Sequence, residues 1–205
     1  MLLAPPHTSG AFALLEIQDT ATGMWVADQV LKRAPIQFLM CRTTEPGKFI
    51  VAFTGDVASV EDSYQHGIEV AGDTLIDQVL LPGAHTEFWN SLGADSFEDT
   101  NYEVSSESML TVECFTLAST LASLDAGLKL APSKVVHLQL GDDYGGKGYF
   151  ILTGALEDID AISEECASTA GERLISQRII ASPDPELPNA PGVAVTLHLP
   201  ASKKK

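Results

Sequence analysis

The chain has 205 residues, a formal net charge of −16 at pH 7 and a hydrophobic content of 45%. That length fits one large or two small domains, each able to bury a core. The acidity argues against a nucleic-acid backbone or an anionic membrane as partner, and no apolar run approaches the length needed to span a bilayer. The start, Met1 to Pro6, lacks the basic region and the apolar length of a signal peptide.

Taken in order, the apolar run Phe12 to Ile17 after Gly10 predicts a strand. Gly23 to Arg33 shows helical spacing, with Ala27, Val30, Leu31 and Ala34 on one face. Pro35 ends that helix and leads into a strand over Ile36 to Cys41. A polar turn is expected at Thr43 to Gly47, then a strand over Phe49 to Phe53. Asp56 is a good N-cap for a helix bearing Val57, Val60, Tyr64, Ile68 and Ala71 in register. Thr74 to Leu81 reads as a fourth strand, stopped by Pro82-Gly83.

The chain then repeats itself. Glu16, Asp28, Lys32 and Ala34-Pro35 recur as Glu113, Asp125, Lys129 and Ala131-Pro132, an offset of 97. Lys48, Gly55 and Ala71-Gly72 recur as Lys147, Gly154 and Ala170-Gly171, an offset of 99. A period of roughly 100 residues is the size of a domain, not of a solenoid unit. In the second copy strands are expected at Leu110 to Phe115, Val135 to Leu140, Tyr149 to Leu152 and Leu174 to Ala181, with helices near Thr120 to Leu130 and Leu156 to Ala170. The predicted class is α/β of the α+β kind: two tandem ferredoxin-like βαββαβ units, each an antiparallel sheet with helices on one face. The expected division is a first domain over 11–84, an acidic linker over 85–108 with a short helix around Phe88, a second domain over 109–185 and an extended, proline-rich tail over 186–205.

Few motifs point to chemistry. Gly141 to Lys147 matches most of a phosphate-binding loop, but Gly148 stands where a Ser or Thr would hold magnesium. The segment also enters a strand rather than a helix, and Asp142 and Asp143 would repel phosphate. The five histidines, His7, His66, His85, His137 and His198, form no local cluster with a carboxylate or cysteine. Cys41, Cys114 and Cys166 have neither disulfide nor metal spacing, and are expected to be small core residues of a reducing compartment. No catalytic residues, metal site or cofactor are expected. Asp28 and Asp125 each lie four residues before a lysine, Lys32 and Lys129, so acid and base share a helix face. That face is either solvated or meets another subunit.

Several stretches together carry a resemblance. Arg42 to Phe49, Gly55 to Val60, Glu69 to Asp73 and Leu80 to His85, echoed by Gly145-Gly146-Lys147, Gly154 and Ala170-Gly171-Glu172, resemble the tandem-domain shell proteins of bacterial microcompartments. The element order is similar to the non-permuted branch of that family. The resemblance implies a structural and gating role without catalysis. It also implies a homotrimer whose six domains close into a pseudo-hexagonal tile. Such tiles pack beside neighbouring hexameric shell proteins in a cytoplasmic microcompartment shell around encapsulated enzymes.

Residue by residue, the resemblance assigns Lys32 and Lys129, with Asp28 and Asp125, to the tile edges. It assigns Thr44, Glu45, Pro46 and Gly47, and Asp142, Asp143, Tyr144, Gly145 and Gly146, to a central pore. Glu45 stands where some members carry a cysteine that holds an iron–sulfur cluster, so no cluster is expected here. The family's rim motif Pro-Arg-Pro-His is replaced by Ala181-Ser182-Pro183-Asp184. An acidic pore would pass neutral or cationic metabolites in preference to anions. The competing reading is a small-ligand-binding or enzymatic protein on a duplicated ferredoxin-like fold.

Overall fold

The computed structural model describes residues 10–93, 108–184 and Leu187. The first copy consists of β1 (Ala11–Ile17), α1 (Thr20–Arg33), β2 (Gln37–Thr44), β3 (Lys48–Gly55), α2 (Val57–Ala71) and β4 (Leu75–Leu81). A helix outside the repeat, α3 (Thr86–Gly93), follows. The second copy consists of β5 (Ser108–Cys114), α4 (Leu117–Leu130), β6 (Lys134–Leu140), β7 (Gly148–Gly154), α5 (Leu156–Ala170) and β8 (Leu174–Ile180). Each copy forms one four-stranded antiparallel sheet, ordered β2-β3-β1-β4 and β6-β7-β5-β8.

The helices begin where side chains cap them. Asp19 accepts from the Thr22 amide at 2.8 Å and starts α1 three residues earlier than the apolar spacing predicts. Thr116 does the same for α4 through the Ser119 amide, so that helix starts at Leu117 and not near Thr120. Asp56 caps α2 as expected. The helices α2 and α5 end at Gly72 and Gly171, whose φ of 50° and 51° favour glycine.

Alternation along β1 serves two faces. Ala11, Ala13, Leu15 and Ile17 pack with Val26 and Val30 of α1 and Val60 and Tyr64 of α2. Phe12 and Leu14 join a second core, where Phe88 and Trp89 of α3 are fully buried. The Phe12 and Phe88 rings meet edge to face, their centroids 5.2 Å apart. So the first part of the stretch read as a linker is a packed element, and its helix lies around Phe88. Residues 94–107, and the tail from 188 onward, lie outside the described residues.

The two helix pairs close by exchanging bulk. On α2, a Cβ at Gly67 would come within 2.9 Å of Val30 on α1 and 2.6 Å of Leu15. In the second copy the small residue is on the other helix: a Cβ at Gly127 of α4 would come within 2.9 Å of Ile162 and 3.1 Å of Cys166 on α5. Gly127 occupies the place of Val30, and Cys166 that of Gly67.

Two local expectations are corrected. Thr43 and Thr44 belong to β2, so the first turn contains only Glu45, Pro46 and Gly47. Cys41 is exposed, while Cys114 and Cys166 are buried. A register shift between Phe38 and Met40 on edge strand β2 places both Leu39 and Met40 inside and turns Cys41 outward.

Candidate functional site

The fold brings the β2–β3 turn and the β6–β7 turn side by side. Glu45 accepts the Gly145 amide at 2.8 Å, and Arg42 pairs with Asp142 at 2.6 Å. A Cβ at Gly146, whose φ is 71°, would lie 1.8 Å from the Glu45 carbonyl oxygen. Only glycine permits that approach. Thr44 is buried rather than at the turn surface, and its hydroxyl reaches Asp142 at 3.4 Å. Arg42 was not among the residues expected here. Both members of its pair are substantially exposed, so the pair contributes at most about 1 kcal/mol. Its main effect is to offset one of the acids that the two turns present.

Beneath the turns lies a buried weld. Lys48 of β3 donates to Glu16 at 2.6 Å and to the Gly146 carbonyl at 2.7 Å. The second Glu16 oxygen accepts the Ala118 amide, at the start of α4, at 2.7 Å. Burial pushes the Glu16 carboxyl above its ordinary pKa, against the pull of Lys48. One glutamate thus joins a strand of the first copy to a helix of the second.

The matching pair in the second copy is more open. Lys147 donates to Glu113 at 2.6 Å, and the Tyr144 hydroxyl donates to the same oxygen at 2.8 Å. Burial alone would raise Glu113, but these hydrogen bonds outweigh it and hold the carboxyl below its ordinary range. The Tyr144 phenol is pushed up to about 12 by burial and by that glutamate.

A second asymmetry separates the two helix faces. On α4, Leu121 is 1% and Leu128 4% exposed, because β4 and α3 cover them. On α1 the corresponding Met24 is 57% and Leu31 48% exposed, with Trp25 open beside them. The helix acids follow suit. Asp125 is buried, pairs with Lys129 and accepts the His85 amide at 2.8 Å. Asp28 pairs with Lys32 at 2.6 Å on an open surface. Where the second copy leans on the first, its face is finished, and the equivalent face of the first copy is left bare.

The donors at the paired turns are carboxylates and backbone amides. Neither turn contains a cysteine, so a thiolate-held cluster does not fit them. Among the described residues, no group of three His, Cys, Asp or Glu side chains is placed to hold a metal ion, and no helix is long and apolar enough to cross a membrane.

Comparisons with known proteins agree with this architecture. Residues 11–84 match the family described as the BMC domain. The bacterial microcompartment shell protein PduT of Citrobacter freundii is 28% identical over 177 residues, which cover 85% of this chain and 94% of that protein. The crystal structure of a microcompartment protein from Desulfitobacterium hafniense superposes with a TM-score of 0.72 at 27% identity, covering 88% of this chain and 99% of that one. A double-ringed trimeric shell protein of the RMM microcompartment shares the fold with a TM-score of 0.62 at 13% identity, over 83% of this chain and 87% of that one. The duplicated sheets and paired turns therefore define a tandem-domain protein of the BMC class. The chain is a shell protein of a bacterial microcompartment.

Proposed function

We propose that three copies of this chain close into a pseudo-hexagonal tile, with the paired turns around a central acidic pore. One observation carries this reading. The α4 face is buried by the first copy within the chain, while the equivalent α1 face stays exposed. Repeating the same contact between chains would cover α1 with β8 of a second copy, where Ser176, Arg178 and Ile180 are exposed. A head-to-tail contact of this kind must either close into a ring or grow into a filament, and a flat ring of six similar domains closes after three chains. Native mass spectrometry should show a species of three times the 21.8 kDa chain mass. Negative-stain images should show hexagonal discs. A stable monomer would end this reading.

On this reading the chain itself is not catalytic. It tiles beside other shell proteins in a cytoplasmic shell and controls what passes. Lys32 and Lys129 serve the tile edges, with Asp28 and Asp125 orienting them through the i, i+4 pairs. The pore turns present Glu45, Asp142 and Asp143, with Arg42 offsetting one of the three. The remaining acidity favours neutral or cationic metabolites over anions. Glu45→Gln should narrow the difference between cation and anion passage in a flux assay on assembled shells. Unchanged passage of both would refute a selective role for Glu45.

A further inference from the structure

Resting on the ring reading, we infer that the contact between chains is held by a carboxylate–hydroxyl pair with its roles swapped: Ser176 of one chain faces Asp19 of a second copy.

The inference starts from the contact seen inside the chain. Asp77 on β4 accepts hydrogen bonds from the hydroxyls of Thr116, the N-cap of α4, and Ser119, the latter at 2.7 Å. Arg173 adds a cation 4.0 Å from the same carboxylate and donates to the Ile76 carbonyl at 2.9 Å. The strand supplies the acid and the helix cap supplies the hydroxyls. The second copy reverses both roles. Ser176 on β8 occupies the place of Asp77, and Asp19, the N-cap of α1, occupies that of Thr116. Thr22 stands where Ser119 stands.

Within the chain the Ser176 hydroxyl makes a long bond to Glu113, at 3.4 Å. When β8 of one chain meets α1 of another in the internal geometry, that hydroxyl turns to donate to Asp19 instead. The contact keeps one acid and its donors, with the direction reversed. Glu113 then reaches the Ala21 amide of the second copy, as Glu16 reaches that of Ala118 within the chain. Because β4 and α4 are already joined within each chain, β8 and α1 are the faces left to meet between chains, and the occupant of the bare α1 face is a second copy of this chain, presenting β8. An acid in place of Ser176 would face Asp19 with no arginine beside it, because Thr74 stands in the place of Arg173.

The test uses the full-length protein and measures trimer dissociation by sedimentation or native mass spectrometry. Ser176→Asp should weaken the trimer at least tenfold. The fold should tolerate the change, because the first copy already holds Glu16 and Asp77 opposite each other in register, and circular dichroism should be unchanged. Adding Asp19→Thr restores the internal arrangement, since threonine already caps α4, and should return dissociation to within about threefold of wild type. A Ser176→Asp protein as tight as wild type would overturn the inference, as would a double variant no tighter than the single one. A wild-type protein that is itself monomeric would instead defeat the ring reading on which the inference rests.

Discussion

Lys48→Met should destabilise the folded chain by about 3–5 kcal/mol, the usual consequence of removing one partner from a buried ion pair. At this chain length that corresponds to a fall in melting temperature of about 10 °C, readable by calorimetry. Lys48 and Glu16 are both buried, and Glu16 is held from two sides, by the Lys48 ammonium and by the Ala118 amide. Without the lysine a carboxylate is left in the seam with one amide partner. The sign of the pH dependence follows. A carboxyl whose folded-state pKa is raised binds its proton more tightly in the folded state, so stability falls as pH rises through and above the ordinary carboxylate range. Lys48→Met raises that pKa further. Its deficit should therefore be largest at neutral pH and shrink as Glu16 becomes protonated in both states. Adding Glu16→Gln, which keeps an acceptor for Ala118, should recover most of the loss. A deficit independent of pH would show that packing, and not charge, governs the seam.

The second large effect is a contrast between equivalent positions. Met24 and Leu121 occupy the same place on α1 and α4, yet one is exposed and the other is sealed in the core. Leu121→Glu buries an unpaired carboxylate and should cost upward of about 4 kcal/mol, enough to prevent stable folding. Met24→Glu should leave the chain folded and its unfolding midpoint in dilute solution nearly unchanged. It should, however, abolish the trimer, since β8 of the next chain has to cover that position. Circular dichroism with size-exclusion chromatography separates the two outcomes. A trimeric Met24→Glu protein would mean that the α1 face is not an interface.

Much of the architecture was legible in the sequence because it was written twice. Each βαββαβ unit carried its own periodicity and its helix-ending proline, the first added the capping Asp56, and the constant offsets tied the copies together. The helix starts were less visible. Gly23 and Ser119 weaken the apolar signal, while the capping bonds of Asp19 and Thr116 fix the true first turns. The weld illustrates a different difficulty. Glu16 and Lys48 were conspicuous as repeated residues, but they lie 32 positions apart and meet only through strand register. Arg42 could have been suspected, because its counterpart in the second copy is Gln139 and so breaks the repeat. Its partner, 100 residues away across the paired turns, could not. The unequal exposure of Met24 and Leu121 had no sequence signal at all, since both are simply apolar.

The exchange of bulk between the helix pairs bears on how a duplicated gene keeps its halves distinct. Two tandem stretches of similar sequence invite unequal crossing-over and gene conversion, which would make them identical. Here a transfer of α5 into the first half would drive the Cys166 side chain into Val30, where only Gly67 leaves room. The reverse transfer would set Gly67 against Gly127 and open a void in a close-packed interior. Each recombinant is penalised within its own domain, before any ring has formed. Purifying selection against such exchanges would hold the halves apart and preserve a chain with two unlike turns.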